Sequence, residues 1–146
     1  MKTLADILLA APQRDAVVEE TVSLIESHVG SRPGLRGISL KTGLAMVKAA
    51  RPSILGRAVQ RLLPEFVAAL DPLYGEFRDA GGGDFAAYLR KHSGRATAAL
   101  LRVADARVEQ ASPMARSAYA KFRGSAEAEV AAALPGLARL IDARLR

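Results

Sequence analysis

Apolar side chains recur at helical spacing along most of this sequence. After Pro52 they share a face about 100° wide, formed by Leu55, Val59, Leu62, Phe66, Ala69 and Leu70. A similar face closer to the carboxyl end comprises Val130, Leu134, Leu137, Ile141 and Leu145. No segment alternates apolar and polar residues between hairpin turns, as sheet strands would. The pattern predicts an all-α fold.

Turn and capping residues divide this pattern into about seven to eight helices. Thr3 and Asp6 form a predicted capping box for a short first helix. Pro12 suits the first turn of the second helix, and Gly30 suits its end. The inward face of that helix carries Val18, Val22, Ile25 and Val29.

Residues 31–37 are rich in glycine and are predicted to form a loop. The third helix then begins near Ser39 and ends before Pro52, because the residue ahead of a proline avoids the helical conformation. Its inward residues are Leu40, Leu44 and Val47. Pro52 opens the fourth helix, and Pro72 is predicted to end it near Leu70.

Pro64 lies inside the fourth helix, on the side opposite its apolar face. The proline lacks an N–H, so the carbonyl of Gln60 loses its helical partner and is expected near solvent. A continuous helix that curves with Pro64 on its outer side is the simpler prediction, and a break at Leu63 is the alternative.

Gly81, Gly82 and Gly83 are predicted to form a hinge slightly past the middle of the chain. Asp84 caps a short helix after the hinge, and Ser93 caps another. The latter carries Leu100, Leu101, Val103 and Val108. Two further helix starts are predicted, one at Ser112–Pro113 and one at Ser125, where Glu127 and Glu129 would lie near the positive end of the helix dipole.

These predictions describe a single-domain helical bundle over residues 1–146, with halves 1–80 and 84–146 that have a similar order of helices. The best local match pairs Val59–Asp71 with Val130–Asp142, and a Leu-Pro pair stands at the same place in both segments. An internal duplication explains the match, and so does chance similarity between two helices of an Ala-rich chain.

Charge is distributed unevenly: the chain has a net charge of +6, and no acid occurs between Glu26 and Glu65. That interval contains Arg32, Arg36, Lys41, Lys48, Arg51, Arg57 and Arg61. We consider two interpretations, a solvated surface that pairs with acids from elsewhere in the fold, and a candidate anion-binding site made of these seven residues.

The remaining motifs give little indication of catalysis or of phosphate, RNA or metal binding. The chain has no Cys, and no motif for nucleophilic catalysis or phosphate binding occurs, so we expect no enzymatic activity and no cofactor. Gly34–Gly37 has a GxxG spacing, for which a plain turn is the better interpretation than an RNA-binding loop. His28 and His92 are predicted to cap helix ends rather than bind metal. Asp105 and Glu109 form an i, i+4 acid pair without the other ligands of a metal site.

Four sequence segments resemble an uncharacterised family of short helical proteins from actinobacteria and other high-GC bacteria. They are Met1–Leu9, Arg61–Phe66, and Phe122–Ser125 together with Ala133–Pro135. The resemblance covers nearly the whole chain and implies no established activity.

The chain is also faintly similar to the TIPE family of phospholipid-binding proteins, which are helical cylinders around an apolar cavity. This similarity rests on Arg51–Pro52, on Tyr74 to Phe77, and on Ser112–Pro113 followed by Arg116, Tyr119 and Phe122. It implies lipid binding, but no lipid-contacting residue can be assigned from it.

The leading functional hypothesis is a non-enzymatic helical domain that binds a lipid-like or other amphipathic anionic ligand. Few aromatic residues are available to fill the bundle, and the basic interval can face a headgroup or a membrane surface. The alternatives are a nucleic-acid-associated protein and a helical interaction module, for example a homodimer. The sequence contains no apolar run long enough to span a membrane, and a cytoplasmic location is expected.

Overall fold

A computed structural model describes residues 3–11, 13–50 and 53–145, which contain seven helices and no strand. The helices are α1 (Leu4–Leu8), α2 (Gln13–Ser31), α3 (Gly34–Ala50), α4 (Ile54–Asp79), α5 (Phe85–Lys91), α6 (Ser93–Val108) and α7 (Pro113–Leu145). The predicted all-α bundle is confirmed.

The predicted caps of the two short helices are confirmed. The Asp6 N–H donates to Thr3 Oγ1 at 3.1 Å, and the Thr3 N–H donates to Asp6 Oδ2 at 2.9 Å, which completes a capping box. At α5 the Asp84 carboxylate accepts from the Ala87 N–H at 3.1 Å. Both helices therefore begin where the sequence places them.

Helix α4 passes through Pro64 without a break, as predicted. Arg14 Nη2 donates to the Gln60 carbonyl at 3.3 Å, so a guanidinium from α2 satisfies the acceptor that the proline leaves free.

The predicted end of α4 near Leu70 is wrong, because the helix continues through Pro72 to Asp79. Leu73, Tyr74 and Phe77 lie beyond the proline and are all buried. Burying three large side chains offsets a proline cost of roughly 3 kcal/mol.

The loop predicted at residues 31–37 is also wrong, because only Arg32 and Pro33 separate α2 from α3. A Cβ atom on Gly37 would overlap the Arg32 carbonyl oxygen, so this glycine allows α3 to begin close beside the linker residue Arg32. Gly34–Gly37 therefore forms the first turn of α3, which excludes the RNA-binding loop. The predicted Pro12 and Pro52 starts lie outside the described residues.

Helix α7 is continuous over 33 residues, so the predicted helix start at Ser125 is wrong. The Ser125 hydroxyl donates to the Phe122 carbonyl at 3.0 Å within the helix instead of capping a new one. Glu127 and Glu129 consequently lie in the middle of α7, far from its N-terminus.

The core lies around α4 and α7, the two long helices that contain prolines. Helix α1 packs mainly on α4, and α5 packs mainly on α7, while α2 contacts both long helices. Near the glycine turn, the Phe85 ring lies 5.0 Å from that of Phe77 and 5.4 Å from that of Tyr74. Gly81, Gly82 and Gly83 all have positive φ angles, a conformation that favours glycine.

Candidate ligand-binding site

The seven basic residues of the candidate anion site have different environments. Arg32 and Lys48 form ion pairs with acids from outside the acid-free interval. Lys41, Arg57 and Arg61 are exposed and form no ion pair with another described residue. Arg51 and the side chain of Arg36 lie outside the described residues. Two members are thus paired with acids from elsewhere in the fold, and three others are exposed without such a pair among the described residues.

A buried carboxylate holds one end of the basic interval. Glu129 is only 5% exposed, and its Oε1 lies 2.9 Å from His28 Nε2. Its Oε2 accepts from Arg32 Nη2, also at 2.9 Å. An acid this deeply buried needs partners of this kind. The arrangement joins the end of α2 to the middle of α7.

Sequence reasoning missed the role of Glu129. It placed the residue in the first turn of a helix, where an acid is favourable without any partner. It also assigned His28 to helix capping, although the imidazole contacts a carboxylate from α7. A residue pair separated by 101 positions leaves no periodic signal in the sequence.

An apolar cavity of about 450 Å³, partly open to solvent, lies between α2, α4, α6 and α7. Its walls include Val17 and Leu24 from α2, Leu62 and Phe66 from α4, and aliphatic residues from α6 and α7. The last group comprises Leu100, Leu101, Ala104, Val130, Ala133, Leu134, Leu137, Leu140 and Ile141. The interior is therefore a hydrocarbon-lined space of the size that small ligands occupy.

The apolar faces predicted from sequence converge on this cavity. Five of the six residues predicted on the α4 face line it, namely Leu55, Val59, Leu62, Phe66 and Leu70. Four of the five predicted on the last face line it as well, namely Val130, Leu134, Leu137 and Ile141. The spacing therefore identified the walls of the cavity.

The prediction for α2 is off by one residue for most of the helix. The wall is formed by Val17, Thr21, Leu24, Ile25 and His28, so only Ile25 was predicted. Thr21 and His28 are polar, which hid this face from a hydrophobic pattern. Their polar groups are satisfied elsewhere, because the Thr21 hydroxyl donates to the Val17 carbonyl at 2.7 Å and His28 contacts Glu129.

The Asp105–Glu109 acid pair does not form a metal site. Asp105 accepts hydrogen bonds from the Tyr119 hydroxyl at 2.7 Å and from Arg123 Nε at 2.9 Å. The Arg123 and Tyr119 hydrogen bonds lower the pKa of Asp105. Burial and the bond to Asp105 raise the pKa of Tyr119 to about 12. These contacts tie α6 to the first part of α7.

Residues 3–11, 13–50 and 53–145 contain neither a metal-binding cluster nor a membrane-spanning helix. No group of three or more His, Asp or Glu side chains is arranged to hold a metal ion there. None of the helices in these ranges has the length and apolar character needed to cross a bilayer. His92 lies between α5 and α6, with its ring 4.4 Å from that of Tyr88.

Comparisons with known proteins assign the chain to a family. Residues 4–145 match a family described as "Family of unknown function (DUF6918)". Neither a curated protein nor a solved structure matches the chain. The similarity to the TIPE family and the bacterial source stay predictions. Because the match extends over nearly all of its sequence, the chain belongs to this family of unknown function.

Proposed function

We propose that this protein is a non-enzymatic binder of a lipid-like ligand, whose hydrocarbon portion occupies the central cavity. The observation that carries the proposal is the cavity itself, at about 450 Å³ and with walls that are almost entirely aliphatic. Ligand sites generally have volumes of roughly 300–1,000 Å³. An apolar occupant would remove the walls of this cavity from water, so its binding would stabilise the fold.

The cavity walls restrict the chemistry of the ligand. Thr21 and His28 are the polar side chains among the residues that line it, and each already has a hydrogen-bond partner. A ligand with polar groups along its length would leave them without partners, which is unfavourable. The ligand is therefore a hydrocarbon chain or ring over most of its length.

A polar headgroup would fit best at the end of the cavity that His28 lines. Arg32 lies beside it, bound to the same Glu129 carboxylate. An anionic headgroup at this end could accept from Arg32 Nε, which is buried without another hydrogen-bond partner, while Arg32 Nη2 keeps its contact with Glu129.

The proposal is tested with a fluorescent long-chain fatty acid titrated into the purified protein. Ala133 lines the cavity, whereas its neighbour Ala132 is exposed, so the two positions provide matched variants on one helix. We expect Ala133→Phe to weaken probe binding by about tenfold or more, because the ring occupies ligand volume. Ala132→Phe should bind the probe as the wild type does.

Thermal unfolding of the same variants separates loss of binding from loss of fold. A phenyl ring that fills the cavity should maintain or raise the melting temperature of Ala133→Phe while binding falls. Absence of probe binding by the wild type, or equal binding by both variants, would contradict the proposal. Native mass spectrometry of the protein from its own host should show a retained ligand.

The nucleic-acid alternative has less support. Arg32 and Lys48 are already paired with acids. Tyr74, Phe77 and Phe85 are buried against one another, so their rings are not available to stack on bases. A gel shift that appears at low salt and disappears as salt rises would favour this alternative instead.

A further inference from the structure

Helix α3 turns an apolar face towards solvent. Leu35, Ile38 and Met46 are 83%, 60% and 68% exposed. Their positions fall within about 80° of one another at 100° per residue, so they share one side of the helix. Ala45 and Ala49 are also exposed and lie on that side. We call this side the outer face of α3; it is formed by these five residues together with the exposed Thr42, which lies among them.

The opposite side of α3 attaches the helix to the bundle. Leu40 and Leu44 are half-buried there, and Gly37 is buried against Arg32, which follows α2. Helix α3 contacts α2 and α4, and it contributes no wall to the cavity. The outer face is therefore separate from the ligand site and has no partner within the described chain.

Basic residues that are unpaired within the described chain occur at the edge of the outer face and on helix α4. Lys41 is exposed at its edge and forms no ion pair with a described residue. Arg57 and Arg61, exposed and similarly unpaired, add positive charge on the adjacent helix α4. No acid occurs in residues 27–64, which include all of α3. A second copy of the chain would bring like charges together at this face, which disfavours self-association.

We propose that the outer face of α3 docks on the surface of an anionic phospholipid membrane. Leu35, Ile38 and Met46 would enter the boundary between headgroups and acyl chains, as the apolar side of an interfacial helix does. Lys41 would lie at the level of the lipid phosphates, which attract basic residues. The inference does not depend on the cavity, and the proposed function gives the docking a purpose, since a membrane is a source of lipid-like ligands.

Vesicle binding of the full chain tests this inference. Vesicles of phosphatidylcholine alone are compared with vesicles that also contain phosphatidylglycerol, by co-sedimentation. We expect binding to the anionic vesicles that weakens as salt rises. Leu35→Ser combined with Met46→Ser should reduce it by at least about tenfold, and Lys41→Glu by about tenfold. Met114→Ser is the matched control, because Met114 is also 83% exposed but lies on α7.

Tryptophan fluorescence locates the contact, since the chain has no Trp of its own. Ile38→Trp should shift its emission to the blue when anionic vesicles are added, whereas Met114→Trp should not. The inference is overturned if the wild type fails to bind anionic vesicles at low salt. It is equally overturned if the Leu35→Ser, Met46→Ser variant binds them as the wild type does.

Two further outcomes separate this inference from its rivals. Light scattering that shows a dimer, lost in the Leu35→Ser, Met46→Ser variant, would assign the outer face to a second copy and overturn membrane docking. Ala133→Phe should bind vesicles normally while it loses the fatty-acid probe. If the wild type binds the fatty-acid probe but not the vesicles, only the docking of α3 is refuted. If it binds the vesicles but not the probe, only the ligand proposal is refuted.

Discussion

Helix α1 in the first half of the chain and α5 in the second are attached by the same kind of contact. The Leu4 N–H donates to Asp71 Oδ1 at 2.9 Å, and the Phe85 N–H donates to Asp142 Oδ1 at 3.2 Å. Each aspartate lies on a long helix that contains proline, seven positions after Pro64 or Pro135. The halves thus position their short helices in the same way.

The halves differ at the element that follows their second helix. In the first half α3 is a separate helix, and an exposed ion pair between Lys48 and Glu26 links it to α2. In the second half the corresponding segment is the beginning of α7. Tyr119 and Arg123 of this segment donate hydrogen bonds to Asp105 of α6 and so attach the segment to that helix. The elements that resemble each other in the two halves form the core and the cavity. The halves differ at α3, which carries the proposed membrane-docking face.

The two aspartate contacts are a further similarity between the halves. The internal duplication proposed from the sequence nevertheless stays a prediction. The same contact is also what two unrelated short helices would need, because each leaves backbone N–H groups without helical partners. The comparison is best tested by disturbing the same feature in both halves.

The largest effect is expected from removing the two aspartates. Asp142→Ala should lower the free energy of unfolding by about 2–3 kcal/mol, because it leaves the buried Phe85 N–H without its charged acceptor. Asp71→Ala should cost less, about 1–2 kcal/mol, because Asp71 is only half-buried. Urea unfolding measures both values.

The corresponding asparagine variants serve as controls, because an amide oxygen can still accept from the same N–H. They should recover part of the lost stability. A larger loss for Asp71→Ala than for Asp142→Ala would show that the two short helices are not held in comparable ways.

Substitutions of glycine by alanine should change the free energy of unfolding in opposite directions in α3 and in α7. Gly37→Ala should destabilise by about 1–2 kcal/mol, because its Cβ would overlap the Arg32 carbonyl and force α3 to shift. Gly124→Ala, in α7, has open space around its Cβ and should stabilise by up to about 1 kcal/mol.

Urea unfolding measures the change in the free energy of unfolding of both variants. Hydrogen exchange reports whether the loss of stability in Gly37→Ala is confined to α3. If Gly37→Ala were as stable as the wild type, the close approach of Gly37 to Arg32 would not determine where α3 lies.

The smallest effect concerns Tyr119, whose bond to Asp105 has no counterpart at α3. Its pKa is about 12 in the folded chain, raised by burial and by Asp105 from an ordinary value of 10.0. The protonated phenol therefore stabilises the fold fully below pH 10, and this stabilisation is lost as the pH rises towards 12.

Tyr119→Phe removes this titrating group. The free energy of unfolding of the variant should fall less steeply with pH over the alkaline range than that of the wild type. Near neutral pH it should lose about 1 kcal/mol or less, the contribution of one hydrogen bond. Parallel alkaline slopes for the two proteins would show that Tyr119 does not cause the pH dependence.

Local sequence signals predicted much of the fold because their causes are local. The Thr3–Asp6 box and the Asp84 cap depend on residues three positions apart, so spacing alone revealed them. The helix through Pro64 followed from the position of the proline opposite the apolar face. The errors at Pro72 and Ser125 have the opposite origin, because packing against other helices continued each helix past a residue that usually marks a helix boundary.

The candidate site was predictable only in part. Periodicity located the apolar walls contributed by α4 and α7, but it could not reveal whether those faces meet in a solid core or around a cavity. The buried His28–Glu129–Arg32 contact was missed because its members come from distant parts of the chain. The basic interval was visible in the sequence, whereas the acids that neutralise Arg32 and Lys48 were not assignable from it.

The sequence by itself determined the helical class, the caps of the short helices and the faces that point inward, since helical spacing and capping act within a few residues. Only the tertiary structure decided that those faces surround a cavity, that Glu129 is buried and that α3 leaves Leu35, Ile38 and Met46 exposed. These features depend on the distances between helices, which side-chain packing and partners from remote segments set.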